Sequence, residues 1–83
     1  MDILIVEDEP DIASLIAQAL QREGLAARRA PNLAEARRAL AERLPAVLLV
    51  DLGLADGSGL QLVREMAGRG PFMMVVSGQG DEV

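Results

Sequence analysis

The sequence predicts an α/β fold, a parallel sheet with helices on both faces, and three observations carry that prediction. Apolar runs without alternation recur at residues 3–6, 46–50 and 72–76, which is how strands buried on both faces read. Helical repeats of apolar residues separate the runs, giving the order strand, helix, strand, helix, strand, helix, strand. The runs end on oxygen-bearing side chains: Glu7 and Asp8, then Asp51, then Ser77. Parallel strands joined by right-handed crossovers bring such ends to one edge of the sheet, in one crevice.

Taken in order, the first run gives way at once to Glu7, Asp8 and Glu9. Pro10 and Asp11 then open a helix, because proline suits the first turn and acidic side chains face the positive end of the dipole. Ile12, Leu15, Ile16, Ala19 and Leu20 recur at helical spacing and mark its apolar stripe, and Gly24 ends it. Residues 25–30 form a short strand carrying Arg28 and Arg29. Asn32 stands where it can cap a second helix, whose stripe is Leu33, Ala36, Leu40 and Leu44 until Pro45 stops it. After Asp51, residues 56–59 read as a turn, with Ser58 the N-cap of a third helix. Leu60, Val63 and Met66 or Ala67 give that helix its stripe, and Gly68 and Gly70 close it. The 72–76 run follows, and residues 78–83 read as a loop entering another helix. The expectation is one domain over 1–83 with four strands, three helices and the start of a fourth.

Composition removes several function classes. The 83 residues carry a net charge of −5 with no histidine, and all eight basic residues are scattered arginines. Nucleic-acid binding rests on a basic patch, so direct contact with DNA or RNA by this segment is not expected. Without histidine there is no His general base and no His-built zinc site. Absence of cysteine removes disulfide and thiolate chemistry, and no apolar run approaches the roughly 18 residues of a membrane span. A cytoplasmic protein with no membrane segment is the expectation.

The chemistry lies at the strand ends. Two carboxylates ~4 Å apart repel by about 4 kcal/mol at an effective dielectric of 20, so Glu7, Asp8 and Asp51 together call for a cation or a shared proton. Oxygen donors without nitrogen or sulfur favour Mg²⁺. A carboxylate beside Mg²⁺ can in turn accept a phosphoryl group as an aspartyl phosphate. Alone, Asp51 would read as a strand-ending turn residue. Glu9 and Asp11 read as helix-start charges, and Gly57-Ser58-Gly59 as a turn rather than a phosphate cradle. Met66, Met73 and Met74 read as core filler. It is the conjunction of acidic pair, Asp51 and Ser77 at matching strand ends that makes a site.

Three blocks, Ile3-Leu4-Ile5-Val6-Glu7-Asp8-Glu9-Pro10, Leu48-Leu49-Val50-Asp51-Leu52-Gly53-Leu54-Ala55-Asp56-Gly57-Ser58-Gly59 and Val75-Val76-Ser77-Gly78, resemble in order and spacing the receiver domain of two-component response regulators. The resemblance implies a flavodoxin-like sheet and a signalling role rather than an enzyme. It implies that Asp51 accepts a phosphoryl group from a histidine kinase or phosphotransfer protein. Glu7 and Asp8 match the acidic pair that holds Mg²⁺, with Asp8 the more direct ligand. Asp51 and the backbone carbonyl of Gly53 complete the implied metal set. Ser77 matches the hydroxyl residue that moves towards the phosphoryl oxygen, and the Gly78 N–H a second phosphoryl contact.

The chain departs from the family pattern in two places. Ala55 stands where the family has proline. The family's lysine, at the end of a fifth strand, has no counterpart, since this sequence contains no lysine. Ending before the family's fifth strand and fifth helix, the 83 residues are expected to expose the 72–76 edge and the 12–20 helix and to self-associate through one of them. The alternative reading is a truncated interaction or dimerisation module independent of phosphorylation. A Mg²⁺ phosphohydrolase is a third reading, disfavoured because no general acid or base follows Asp51 at close spacing.

Overall fold

The computed structural model of the chain describes residues 2–76. Its elements are β1 (Asp2–Val6), α1 (Pro10–Arg22), β2 (Ala26–Ala30), α2 (Leu33–Glu42), β3 (Val47–Asp51), β4 (Gly53–Leu54), β5 (Gly57–Ser58), α3 (Gly59–Met66) and β6 (Phe72–Val76). Four strands form one parallel sheet in the order β2-β1-β3-β6. Strand order reverses between β1 and β3, the flavodoxin-like switch point outside which such sheets bind ligands. Ser77, Gly78 and the start of a further helix lie outside the described residues.

Local chemistry explains the boundaries. Pro10 opens α1 with Asp11 in its first turn. Gly24, at φ 77°, ends it: its N–H donates to the Gln21 carbonyl and that of Leu25 to the Leu20 carbonyl. That pair of bonds is a Schellman closure, which needs the left-handed conformation glycine adopts without strain. Asn32 caps α2, its Oδ1 accepting the Glu35 N–H at 2.8 Å, and Ser58 caps α3 by accepting the Leu60 N–H at 3.1 Å.

Several details differ from the sequence expectations. α3 buries Leu62 and Met66 while Leu60 is exposed. The 72–76 run, read as buried on both faces, leaves Phe72, Met74 and Val75 exposed, because β6 is an edge strand among the described residues and α1 packs mainly over β1 and β2. The residue α1 buries is Ala13, while Ile16, Ala17 and Leu20 are half-buried and Ile12, Leu15 and Ala19 lie exposed. Small Ala13 lets the helix lie close over β1 and β2, and this turns the predicted stripe partly outwards. α2 ends at Glu42, with Arg43 already extended at φ −160°, so Leu44 leaves the helical stripe and is exposed. Restriction of the backbone just before Pro45 accounts for the early stop. Residues 53–58, read as loop and turn, contain a two-stranded antiparallel ribbon pairing Gly53 with Ser58 and Leu54 with Gly57.

The main core lies between the sheet and the α2/α3 layer, where Leu4, Val6, Leu48 and Val50 meet Leu33, Ala36, Leu40, Leu62 and Met66. Arg37 forks onto Glu65 at 3.0 and 2.7 Å, tying α2 to α3. At the opposite end of the sheet Asp2 accepts from Arg28 at 3.1 and 2.9 Å and from Arg43 at 3.2 Å.

Candidate functional site

Register sets the site. Val6 of β1 stands beside Val50 of β3, so the next residues, Glu7 and Asp51, emerge as neighbours at the C-terminal ends of adjacent parallel strands. Asp8 follows in the same turn. Carboxylate oxygens of Glu7, Asp8 and Asp51 all lie within 4.8 Å of one another. Glu7 and Asp51 are buried, at 3% and 6% exposure, and Asp8 is half-buried. The sequence expectation for these three is met in space.

Close packing behind Asp51 fixes its backbone. A Cβ on Gly59 would run into the Asp51 carbonyl oxygen and stand 2.7 Å from Val50 Cγ1, so only glycine lets the start of α3 seat here. The Gly59 N–H donates to the Leu52 carbonyl at 3.1 Å. Gly53 turns its N–H back to Asp51 Oδ1 at 3.2 Å, which places it at the mouth of the cluster and leaves the other carboxylate oxygen uncommitted to that bond.

Electrostatics are those of crowded anions. Burial pushes the Glu7 carboxyl above its ordinary range, and Asp51 and Asp8 push it further, against the Glu9 N–H that donates to Glu7 Oε2 at 3.2 Å. No salt bridge reaches the three carboxylates among the described residues. The donor set fits a small hard divalent cation: three carboxylates of two elements, no nitrogen or sulfur, and a carboxyl whose charge is disfavoured as it stands. A cation bound there would offset the like-charge repulsion from Asp51 and Asp8 that adds to the raised Glu7 value.

Two residues at this edge were not singled out by sequence reasoning. Asp56, in the turn of the β4–β5 ribbon, accepts the Leu33 N–H at 2.9 Å and the Ala34 N–H at 3.3 Å, capping α2 from 22 to 23 residues away. Those two bonds, Leu33 first, hold its carboxyl below the ordinary range. The signal available was that Asn32 satisfies only one of the free N–H groups of the α2 terminus. Arg29, on β2, donates through Nε and a terminal nitrogen to the Glu7 carbonyl oxygen, at 3.1 and 2.9 Å. Nothing local in the sequence marks that contact. Ser77 and Gly78 lie outside the described residues, so the phosphoryl contacts expected of them have no structural counterpart here.

Comparison with known proteins points one way. The profile of the response regulator receiver domain matches residues 3–83. The response regulator protein PilR of Pseudomonas aeruginosa is 47% identical over 68 residues, covering 82% of this chain and 15% of its own length. A Burkholderia pseudomallei response regulator, solved with a phosphorylated aspartic acid, a calcium ion and citrate, superposes with TM-score 0.86 at 29% identity over 93% of this chain and 46% of its own. Thermotoga maritima response regulator TrrA, solved in complex with Mg²⁺ and BeF, gives TM-score 0.88 at 26% identity, over 96% of this chain and 71% of that one. The chain thus spans less than half the length of curated relatives such as PilR.

Proposed function

The chain belongs to the response regulator receiver domain family, and on that premise we propose that Asp51 is its phosphoacceptor, with Mg²⁺ held by Glu7, Asp8, Asp51 and the Gly53 carbonyl. The observation that carries this reading is the meeting of three carboxylates within 4.8 Å at the ends of β1 and β3. An Asp51 carboxylate oxygen attacks the phosphorus while the bond from phosphorus to the donor nitrogen breaks, and the bonding pair leaves with the donor's imidazole. Gly53 holds Oδ1 through its N–H, which leaves the other oxygen to form the new bond. Mg²⁺ would offset the charge that otherwise keeps an anionic phosphoryl group from an anionic cluster. Ser77 and Gly78 are assigned the phosphoryl contacts on their motif alone.

The donor is a histidine kinase or phosphotransfer protein, and the product is a signalling state rather than a released compound. The cytoplasm, where such donors are charged from ATP, is the compartment this reading takes. Among the described residues no helix is long and apolar enough to cross a membrane.

The test is intact mass after incubation with Mg²⁺ and acetyl phosphate, beside Asp51→Asn. One phosphoryl adduct on wild type and none on the variant is the expected result. A folded wild type that takes no adduct overturns the reading.

A second reading, self-association, has its own support. β6 pairs only with β3 among the described residues, and it carries no charge, with Phe72 67% exposed and Met74 and Val75 about half exposed. The other edge, β2, carries Arg28 and Arg29, which blunt it. Sedimentation velocity at rising concentration is expected to show dimer, and Met74→Lys to abolish it. A monomer throughout rejects it.

A further inference from the structure

Arg29 is the one cation whose side chain reaches the backbone of the acidic turn in the described hydrogen-bond network, and neither the family motifs nor the proposed phosphoacceptor chemistry use it. We infer that Arg29 is a positioning residue for the metal site: its guanidinium, forked onto the Glu7 carbonyl oxygen, fixes the Glu7–Asp8 peptide from which two of the three ligand carboxylates project. This rests on the metal reading given above.

Peptide planarity is the physical core of the argument. The carbonyl oxygen of Glu7 lies in one rigid plane with the Cα atoms of both Glu7 and Asp8. Pinning that oxygen therefore constrains where both side chains begin. Nε and a terminal nitrogen of Arg29 pin it at 3.1 and 2.9 Å. On the other side of Glu7, its N–H donates to the Ala30 carbonyl at 3.1 Å. Consecutive residues of β2, Arg29 and Ala30, thus hold Glu7 at both of its backbone polar groups. The Glu9 N–H bond to Glu7 Oε2 then closes the turn.

The alternative role for a cation here is charge neutralisation, and the contacts speak against it. Arg29 bonds to the carbonyl, and among the described residues it forms no ion pair. The carboxylates are left facing one another, as a cation-binding cluster requires. A fork of two charged donors onto one acceptor holds orientation as well as distance, which lysine, with a single compact ammonium, does less well. Removing groups that orient ligands without touching the metal typically costs about ten- to a hundredfold in affinity.

The experiment measures Mn²⁺ affinity of the 83-residue chain by the electron paramagnetic resonance signal of free Mn²⁺, with urea unfolding alongside. Arg28→Met is the control, because Arg28 sits on the same strand but bonds Asp2 and the Arg43 carbonyl at the far end of the sheet. Arg29→Met is expected to weaken Mn²⁺ binding about tenfold, Arg29→Lys less, and Arg28→Met not at all. Equal affinities in wild type and a folded Arg29→Met overturn the inference while leaving the metal site in place. Equal losses in Arg28→Met and Arg29→Met overturn it too, by making the effect one of general stability. No Mn²⁺ binding by folded wild type removes the metal reading and this inference with it. Should Arg29→Met not fold, Arg29→Gln is judged by the same criterion.

Discussion

On the α2/α3 side of the sheet, Leu4, Val6, Leu48 and Val50 are fully buried, whereas on the α1 side Ile3 and Ile5 of β1 are buried but Phe72 of the edge strand is 67% exposed. Strand alternation explains how one sheet presents two such surfaces. Phe72 and Met74 stand in register with Val47 and Leu49, on the side that α1 covers mainly over β1 and β2, while Met73 faces the packed layer. The difference bears on the site. The Asp51 backbone is held from the packed side by the close approach of Gly59, yet its alternation places its carboxylate with Val47 and Leu49 on the α1 side. On the phosphoacceptor reading proposed above, that combination gives a fixed backbone and a carboxylate that faces the acidic cluster, with half-buried Asp8 its most accessible member.

The largest expected effect tests the packing difference directly. Leu48→Ala should cost about 3 kcal/mol in urea unfolding, as buried leucines do, and Leu15→Ala about 0.5 kcal/mol or less. Similar costs at the two positions would remove the contrast. Next comes the anchor. Gly59→Ala should cost about 2 kcal/mol through overpacking against the Asp51 backbone and slow adduct formation. Gly53→Ala, where an added Cβ meets nothing within 4 Å, should be close to neutral in stability. If Gly59→Ala matches wild type in both stability and adduct formation, the anchor argument fails. Third, Asp51→Asn in metal-free buffer should raise stability by about 1 kcal/mol, since it removes a like charge from a buried cluster of carboxylates.

The smallest effect is the pH dependence, and it separates the two sides by sign. Asp56 and Glu65, fastened to the Leu33 N–H and to Arg37 respectively, have carboxyls held below their ordinary values. Their stabilisation is complete above the unfolded values and is lost as pH falls through the lowered ones. Acid should therefore loosen the α2/α3 layer, and amide exchange in the first turn of α2 should rise there, less so in Asp56→Asn. Glu7 runs the other way. Its raised value gives stability that is complete below the ordinary glutamate range and lost as pH rises through the raised one, and added Mg²⁺ should cancel that loss. An α2 exchange rate that does not change with acid would sink the first half of this prediction.

Much of this was legible in the sequence, for reasons that differ between residues. Unbroken apolar runs and Gly24, Asn32 and Ser58 at their caps are local signals, and the structure follows them. Glu7, Asp8 and Asp51 converge because parallel register carries strand ends to one edge, so topology alone sufficed to bring them together. Ala13 over Ile12 and Leu15 was not legible, since helical spacing gives a stripe but not the angle at which a helix settles on its sheet. Arg29 and Asp56 were missed because each acts on a backbone group more than 20 residues away, and no local pattern encodes such a reach.

The Asp56 cap also puts a clock on synthesis. Leu33 leaves the ribosome 23 residues before the carboxylate that receives its N–H. At about 5–20 residues per second, the first turn of α2 waits roughly 1–5 s for its second cap. Through that interval Asn32 is the one side-chain cap the helix start has to hand, and arrival of the turn that follows Asp51 supplies the second.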